Sequence, residues 1–169
     1  NASAAIAAAS RFDISYGLMR KALSDYKPSY MRLDLKRING IDIIDDSYNS
    51  NPLSMKCALE ALKKYPAKAR WVVSGDMLEL GRYGRYFHKE VGSAVASADA
   101  EGLLTFGRLS KATLSQARIC GMDKNKSWHC SSHDEIAGIL KKVVKRGDVV
   151  LIKGSRAMRM EKVLEKLKI

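Results

Sequence analysis

The feature that most constrains this chain is an alternation. From Pro52 onward, short apolar runs of strand length are separated by stretches whose apolar residues recur at helical spacing. Residues 70–74, 102–106, 126–130 and 148–152 are predicted strands, and Val149-Val150-Leu151-Ile152 is apolar without a break, as expected for a strand covered on both faces. Between them, residues 52–64 set Met55, Ala58, Leu59 and Leu62 on one helical face, and 86–98 do the same with Phe87, Val91, Ala94 and Val95. Further helices are predicted over 111–119, over 133–142 through Ile136, Ile139 and Leu140, and at the end through Met160, Val163, Leu164 and Leu167. Ser132 followed by Glu135 has the pattern of a capping box.

Ahead of this region the pattern is different. Residues 31–38 and 41–45 are two extended runs joined by Asn39-Gly40, the dipeptide that suits a tight hairpin because both central positions of a type I′ turn take positive φ. The predicted fold class is therefore α/β: a Rossmann-like, mostly parallel sheet with an antiparallel edge hairpin and helices on both faces. In such sheets ligands gather beyond the carboxyl ends of the strands.

The first residues form a separate unit. Ala2, Ala5, Ile6 and Ala9, then Ile14, Leu18 and Ala22, follow helical spacing, and Tyr26-Lys27-Pro28-Ser29 reads as a linker because proline ends helices. The expected division is residues 1–27 and residues 28–169. Arg11 interrupts the alanine-rich opening and no basic leader precedes it, so a signal peptide is not expected. The helical start without an initiator methionine is expected of a piece cut from something longer.

Charge and cysteines narrow the function classes. The odd set Cys57, Cys120 and Cys130 points to a reducing, cytoplasmic setting rather than to a disulfide framework. A net charge of +12 over 169 residues can mark nucleic-acid binding, but the cations are spread over many segments with no aromatic stacking platform, so no nucleic-acid partner is expected. A basic cleft for a small polyanion fits the same charge. No run approaches the ~18 apolar residues of a membrane span, so no membrane insertion is expected.

Three loops at predicted strand ends carry the chemistry. In Asp45-Asp46-Ser47-Tyr48-Asn49-Ser50-Asn51-Pro52, Asn51 and Pro52 suit a helix start, yet five polar side chains before them exceed what a turn needs. A carboxylate there can accept both hydroxyls of a ribose, and the helix start favours an anion. Gly75-Asp76-Met77-Leu78-Glu79-Leu80-Gly81 reads equally as a glycine-punctuated turn or as two acids facing an ammonium group. Lys153-Gly154-Ser155-Arg156 follows the most apolar strand; Ser155 can cap the last helix, and two cations beside that helix start oppose its dipole unless an anion binds. Anion binding is the favoured reading of that loop.

Taken in order, these loops resemble those of the Mur ligase family, together with Ser54-Met55, His88 with Val91-Gly92, and Met160-Glu161. The resemblance covers nearly everything from Met31 onward. Asn1-Ala2 with Ala4-Ala5-Ile6 is similar to the end of the family's central ATPase domain, so residues 1–27 are expected to be a remnant of that domain and 28–169 the closing, substrate-binding domain. The branch of the family that the loops most resemble joins D-alanyl-D-alanine to UDP-N-acetylmuramoyl-tripeptide in peptidoglycan synthesis, using ATP and Mg2+. The implied partners are those two substrates, ATP, and the protein's own N-terminal and central domains, and the implied location is the bacterial cytoplasm. The resemblance also implies roles. Arg32, Asp46, Asn49, Asn51 and Asn1 fall at ATP-binding positions, with Arg32 reaching the γ-phosphate and Asp46 the ribose. Ser50, Asp76, Glu79, Lys153, Gly154, Ser155 and Arg156 fall at substrate-binding positions, with Lys153, Ser155 and Arg156 on the dipeptide carboxylate. The chain has no G-x-x-x-x-G-K-[ST] motif, so ligation by residues 1–169 alone is not expected, and neither a catalytic residue nor a metal site is assigned within them.

The competing readings are blander. A free-standing nucleotide-binding module would carry G-x-G-x-x-G after its first strand, and none is present. A basic polyanion-binding module would rest on charge alone. Cys120, His129, Cys130 and His133 match no usual zinc spacing. His88, on an apolar-striped helix, is expected to serve a loop or solvent rather than to act as a base.

Overall fold

The computed structural model describes residues 2–26 and 30–167. Two helices come first, α1 (Ala2–Ala9) and α2 (Tyr16–Asp25). The chain then alternates as β1 (Asp34–Ile38), β2 (Ile41–Asp46), α3 (Pro52–Lys64), β3 (Arg70–Gly75), α4 (Gly84–Ser97), β4 (Gly102–Phe106), α5 (Ser110–Ile119), β5 (Ser127–Cys130), α6 (His133–Val143), β6 (Val149–Lys153) and α7 (Glu161–Leu167). The six strands form one sheet in the order β1-β2-β6-β3-β4-β5, in which only the β1–β2 pair is antiparallel.

The period-two alternation of strand side chains divides the interior into two layers. Ile44, Val72, Leu103, Val149 and Leu151 point to the layer filled by Met55, Leu59 and Leu62 of α3, Val91 and Val95 of α4, and Leu114 and Ala117 of α5. Ile43, Trp71, Val73, Leu104, Val150 and Ile152 point the other way, onto Ile136 and Leu140 of α6 and Val163 and Leu164 of α7. β6 is buried at every position because it lies between two strands and two helical layers, which is why its sequence lacks alternation. Edge strand β1 has its own alternation of exposed and half-buried residues.

The Asn39-Gly40 turn is as expected, with φ of 53° and 80° at the two positions. The run predicted over 31–38 is shorter: β1 starts only at Asp34, because Met31 and Leu33 take left-handed φ values of 62° and 48°. Two bonds from the β2–α3 loop hold that shape, Tyr48 N–H to Met31 O at 3.1 Å and Leu33 N–H to Asp46 Oδ1 at 3.1 Å. The capping pattern at α6 is half realised. Ser132 Oγ accepts the Glu135 N–H at 3.1 Å, but the Glu135 carboxylate takes Ser131, at both N–H and Oγ, instead of the cap residue itself.

Neither core layer draws a residue from 2–26 among the described residues. In α1 and α2 only Met19 is buried, while Phe12 and Tyr16 are each 78% exposed. Helix α2 ends at Asp25 and Tyr26 is extended; Lys27, Pro28 and Ser29 of the expected linker lie outside the described residues.

Candidate functional site

Strands β2, β6 and β3 run parallel, so their carboxyl ends bring the three loops to one rim of the sheet. Asp46, at the end of β2, stands opposite Lys153, at the end of β6. Their side chains meet, with Lys153 Nζ 2.5 Å from Asp46 Oδ2. The ammonium group also donates to the Asn49 carbonyl at 2.9 Å, and the other Asp46 oxygen takes the Leu33 N–H. Lys153 is 2% exposed. Its charge, expected to face a ligand carboxylate, is spent inside the rim.

Asp45 is fully buried and serves the loop itself. Its Oδ1 accepts Ser47 N–H at 3.2 Å and Ser47 Oγ–H at 2.5 Å, while Oδ2 pairs with Lys36 of β1. Burial pulls the Lys36 pKa down, but bonding and charge from Asp45 and Asp34 outweigh it, so the group stays above its ordinary value. Asn51 caps α3: its Oδ1 accepts Ser54 N–H at 2.8 Å and its own N–H donates to Ser54 Oγ at 3.0 Å. Asn49 is exposed. Ser50 is 5% exposed, and its hydroxyl has no hydrogen-bond partner among the described residues.

The loop after β3 separates its two acids. The Asp76 carboxylate accepts Ser110 N–H at 2.7 Å and Leu109 N–H at 3.1 Å, which caps α5 from a neighbouring strand end. Glu79 points out, on a left-handed residue with φ of 63°. His88 of α4 is completely buried and fixes this loop: Nε2 lies 3.0 Å from the Met77 N–H, and Nδ1 lies 2.7 Å from the Gly84 carbonyl. Since Met77 can only donate and Gly84 O only accept, the ring is neutral with its proton on Nδ1. It serves a loop, as expected.

Ser155 ties the loops together. Its N–H donates to Asp76 O at 2.9 Å, its Oγ accepts Leu78 N–H at 2.8 Å, and the same Oγ is 3.4 Å from Ser50 O. It does not cap a helix with its side chain, contrary to expectation, because a 3-10 turn at Arg156–Met158 intervenes and α7 begins only at Glu161. The clash between helix dipole and cations therefore does not arise. Gly154 and Gly75 have no room for a side chain: a Cβ on Gly154 would lie 2.7 Å from Met160 Cγ, and one on Gly75 2.8 Å from Met160 Sδ.

Besides Asn49 and Glu79, two cations remain open to solvent at this rim. Arg32 is exposed and lies over the Tyr48 ring, 4.2 Å from its centroid. The Arg156 side chain is 55% exposed; Nη1 pairs with Glu161 Oε1 at 3.0 Å and approaches Met31 Sδ at 4.0 Å. The second Glu161 oxygen is buried without a partner among the described residues. Sequence reasoning missed the left-handed pair at Met31 and Leu33, the Lys36–Asp45 contact and the Glu161 brace, since no local pattern says which distant group a side chain meets. Asn1 lies outside the described residues.

Such a rim can bind and orient an anion. Each of the three imidazoles has a hydrogen-bond partner: His88 as above, His129 with Thr105 Oγ1 at 3.0 Å, and His133 with Met158 O at 2.9 Å. No group of three or more His, Cys, Asp or Glu is placed together to hold a metal ion among the described residues.

Comparison with known proteins identifies relatives of the chain and of its fold. Residues 31–156, which contain all three loops, match the family described as Mur ligase, glutamate ligase domain. The chain is 36% identical over 171 aligned residues to the UDP-N-acetylmuramoyl-tripeptide–D-alanyl-D-alanine ligase of Bacillus subtilis (strain 168), covering 99% of this chain and 37% of that one. It is 32% identical to the enzyme of the same name from Escherichia coli (strain K12), over 74% of this chain and 26% of that one. Among solved structures, MurF from Acinetobacter baumannii superposes with a TM-score of 0.82 at 26% identity, over 99% of this chain and 36% of that chain. A MurF ligase from Thermotoga maritima in complex with ADP gives 0.74 at 32% identity, over 86% and 32%. The chain thus spans between about a quarter and little more than a third of the length of the relatives it matches. With the family matched across every loop of the rim, and the fold shared from α1 to α7, the chain belongs to the Mur ligases.

Proposed function

We propose that this chain is the closing, substrate-binding domain of an ATP-dependent ligase that joins D-alanyl-D-alanine to UDP-N-acetylmuramoyl-tripeptide in the bacterial cytoplasm. The observation that carries the reading is the 36% identity to a ligase of that name over 99% of the chain. Residues 28–169 are the closing domain and residues 1–27 the end of its ATPase neighbour, a division supported by the absence of residues 2–26 from both core layers. In such a reaction ATP phosphorylates the tripeptide's terminal carboxylate, and the dipeptide amine displaces the phosphate to form the amide. The sequence has no phosphate-loop motif, so residues 1–169 alone give no ligation.

Within the complete ligase, the rim's part is to place and neutralise charge, which is most of what phosphoryl transfer asks of a protein. Arg32, exposed on Tyr48, is the γ-phosphate contact. Asp46 is the ribose acid, and Lys153 acts through it by fixing its carboxylate. Asn49, Ser50 and Asn51 line the nucleotide and acyl-phosphate side, and the unpartnered Ser50 hydroxyl is supporting geometry for a ligand there. The dipeptide carboxylate falls to Arg156, beside Ser155 and Gly154, since Lys153 is already paired. Asp76 supports this pocket by holding α5, and Glu79 lies at its edge.

The test is kinetic, on the complete ligase. Arg156→Ala raises the KM for D-alanyl-D-alanine at least tenfold and that for ATP much less, about the 1.5–3 kcal/mol of a lost charged hydrogen bond. Equal rises in both would assign Arg156 to domain closure or the fold instead. Ligation by the purified 169-residue chain would sink the assignment of incapacity.

A further inference from the structure

The opposite end of the sheet, away from the three loops, carries the molecule's other concentration of charge. Helices α3 and α6 both end there, on opposite faces, followed by the loops into β3 and β6. Lys64, Lys68, Lys141, Lys142, Lys145 and Arg146 are all exposed, and none has an ion-pair partner among the described residues.

Two of these cations, Lys68 and Arg146, share one floor at the strand ends. Lys68 N–H donates to Gly147 O at 2.9 Å, and Gly147 N–H to Gly40 O at 3.0 Å. The Lys68 stem lies over Gly147 and the Arg146 stem over Gly40, so the two loops and the hairpin turn are stitched into a continuous floor. The nearby acids are already used. Asp148 is 5% exposed and accepts from Trp71 Nε1 at 3.2 Å and Lys145 N–H at 2.8 Å, while Asp42 holds Arg37 and Tyr65. Helix dipoles account for Lys64, Lys141 and Lys142, which sit in last turns. Neither a helix dipole nor an ion pair accounts for the charges of Lys68, Lys145 and Arg146.

We propose that this end of the domain is a docking surface for anionic phospholipid headgroups, adsorbing the protein at a membrane surface without insertion. Five of the six cations are lysines, mobile point charges that suit a diffuse field of headgroups better than the fixed fork geometry that arginine offers a single phosphate. No exposed aromatic side chain lies among them to stack on a base: Trp71 is buried and Tyr65 is tied to Asp42. Adsorption at this end leaves the loop rim facing solution. The proposal is independent of the ligase reading, since it rests on residues at the other end of every strand.

The test is co-sedimentation of the 169-residue chain with vesicles near physiological ionic strength. Phosphatidylcholine vesicles with roughly a third phosphatidylglycerol should bind it, and pure phosphatidylcholine should not. K68Q/K145Q/R146Q should weaken binding about a hundredfold, at roughly fivefold per cation near an anionic surface. K89Q/R108Q/K111Q, with equal charge loss elsewhere on the exposed surface, should bind nearly as wild type. Unchanged far-UV circular dichroism and urea midpoints would show that both triple variants fold. Absence of binding to the anionic vesicles, or equal loss in the two variants, overturns the proposal. So does duplex DNA that displaces the protein from vesicles at matched charge, which would make the surface a nucleic-acid site.

Discussion

Replacing Lys153 by methionine tests whether its charge belongs to the fold. The methionine keeps most of the stem's apolar packing, so the loss is electrostatic rather than a cavity. It removes a 2%-exposed ammonium group that lies 2.5 Å from Asp46 Oδ2 and 2.9 Å from Asn49 O. Breaking one side of a buried pair costs about 3–5 kcal/mol, because the remaining charge stays desolvated. Here the remaining Asp46 carboxylate keeps the Leu33 N–H and is 12% exposed, and the Asn49 carbonyl sits on an exposed residue, so the lower end, about 3 kcal/mol, is expected. With a urea m-value near 2 kcal/mol/M for a domain of this size, the midpoint falls by about 1.5 M. Urea unfolding of the 169-residue chain, followed by circular dichroism, reads this directly. The double variant Lys153→Met with Asp46→Asn should be less unstable than the sum of the singles by about 2 kcal/mol, the signature of two groups in contact. A Lys153→Met midpoint within about 0.3 M of wild type would refute the reasoning. It would mean that the ammonium group is free for a ligand.

Burial pushes the Cys130 thiol pKa up to about 12, whereas Cys57 and Cys120 are exposed, so a thiol-specific chromogenic reagent at pH 8 should titrate two thiols in the native chain and the third only in denaturant; fast reaction of all three would contradict the placement of β5. Asp76→Ala removes the cap of α5 from two backbone N–H groups and should lower stability by about 1–2 kcal/mol in thermal or urea unfolding, with no change expected for Glu79→Ala. Hydrogen bonds from Ser131 lower the Glu135 pKa from 4.5, and the bond from Lys166 lowers that of Asp134 from 3.8. Both carboxyls therefore add stability that is present above those ordinary values and lost as pH falls through the folded ones. Urea midpoints measured from pH 6 to pH 3 should decline, and Glu135→Gln should flatten the decline; a midpoint that rises on acidification would reverse the sign of the argument.

The order of elements was legible because the chain keeps period and burial consistent. Helix α3 was readable to the residue, since Asn51-Pro52 marks its start and Met55, Ala58, Leu59 and Leu62 its buried face. The all-buried β6 announced a central strand. The rim was legible as three loops and not as a set of contacts. Lys153 and Asp46 are 107 residues apart, and no local rule says that register places them opposite each other across β2 and β6. The same applies to Asp76, whose carboxylate caps a helix 34 residues on, and to Ser155, whose expected cap became a link between loops. The left-handed Met31 and Leu33 defeated strand prediction because tertiary bonds from Tyr48 and Asp46 hold a backbone that those residue types do not favour.

The place of β6 has a consequence for how the chain is made. It is the last strand in sequence, yet it sits between β2 and β3, where no other strand joins them. Until residues 149–153 have left the ribosome, the hairpin β1–β2 and the ribbon β3-β4-β5 are separate pieces, and each bares, besides its outer edge, the hydrogen-bonding edge that β6 covers, together with an apolar face. Folding of this domain must therefore be completed late, by insertion of its most apolar strand into a waiting slot, and a product truncated before Val149 presents two unsatisfied sheet edges to proteases and chaperones.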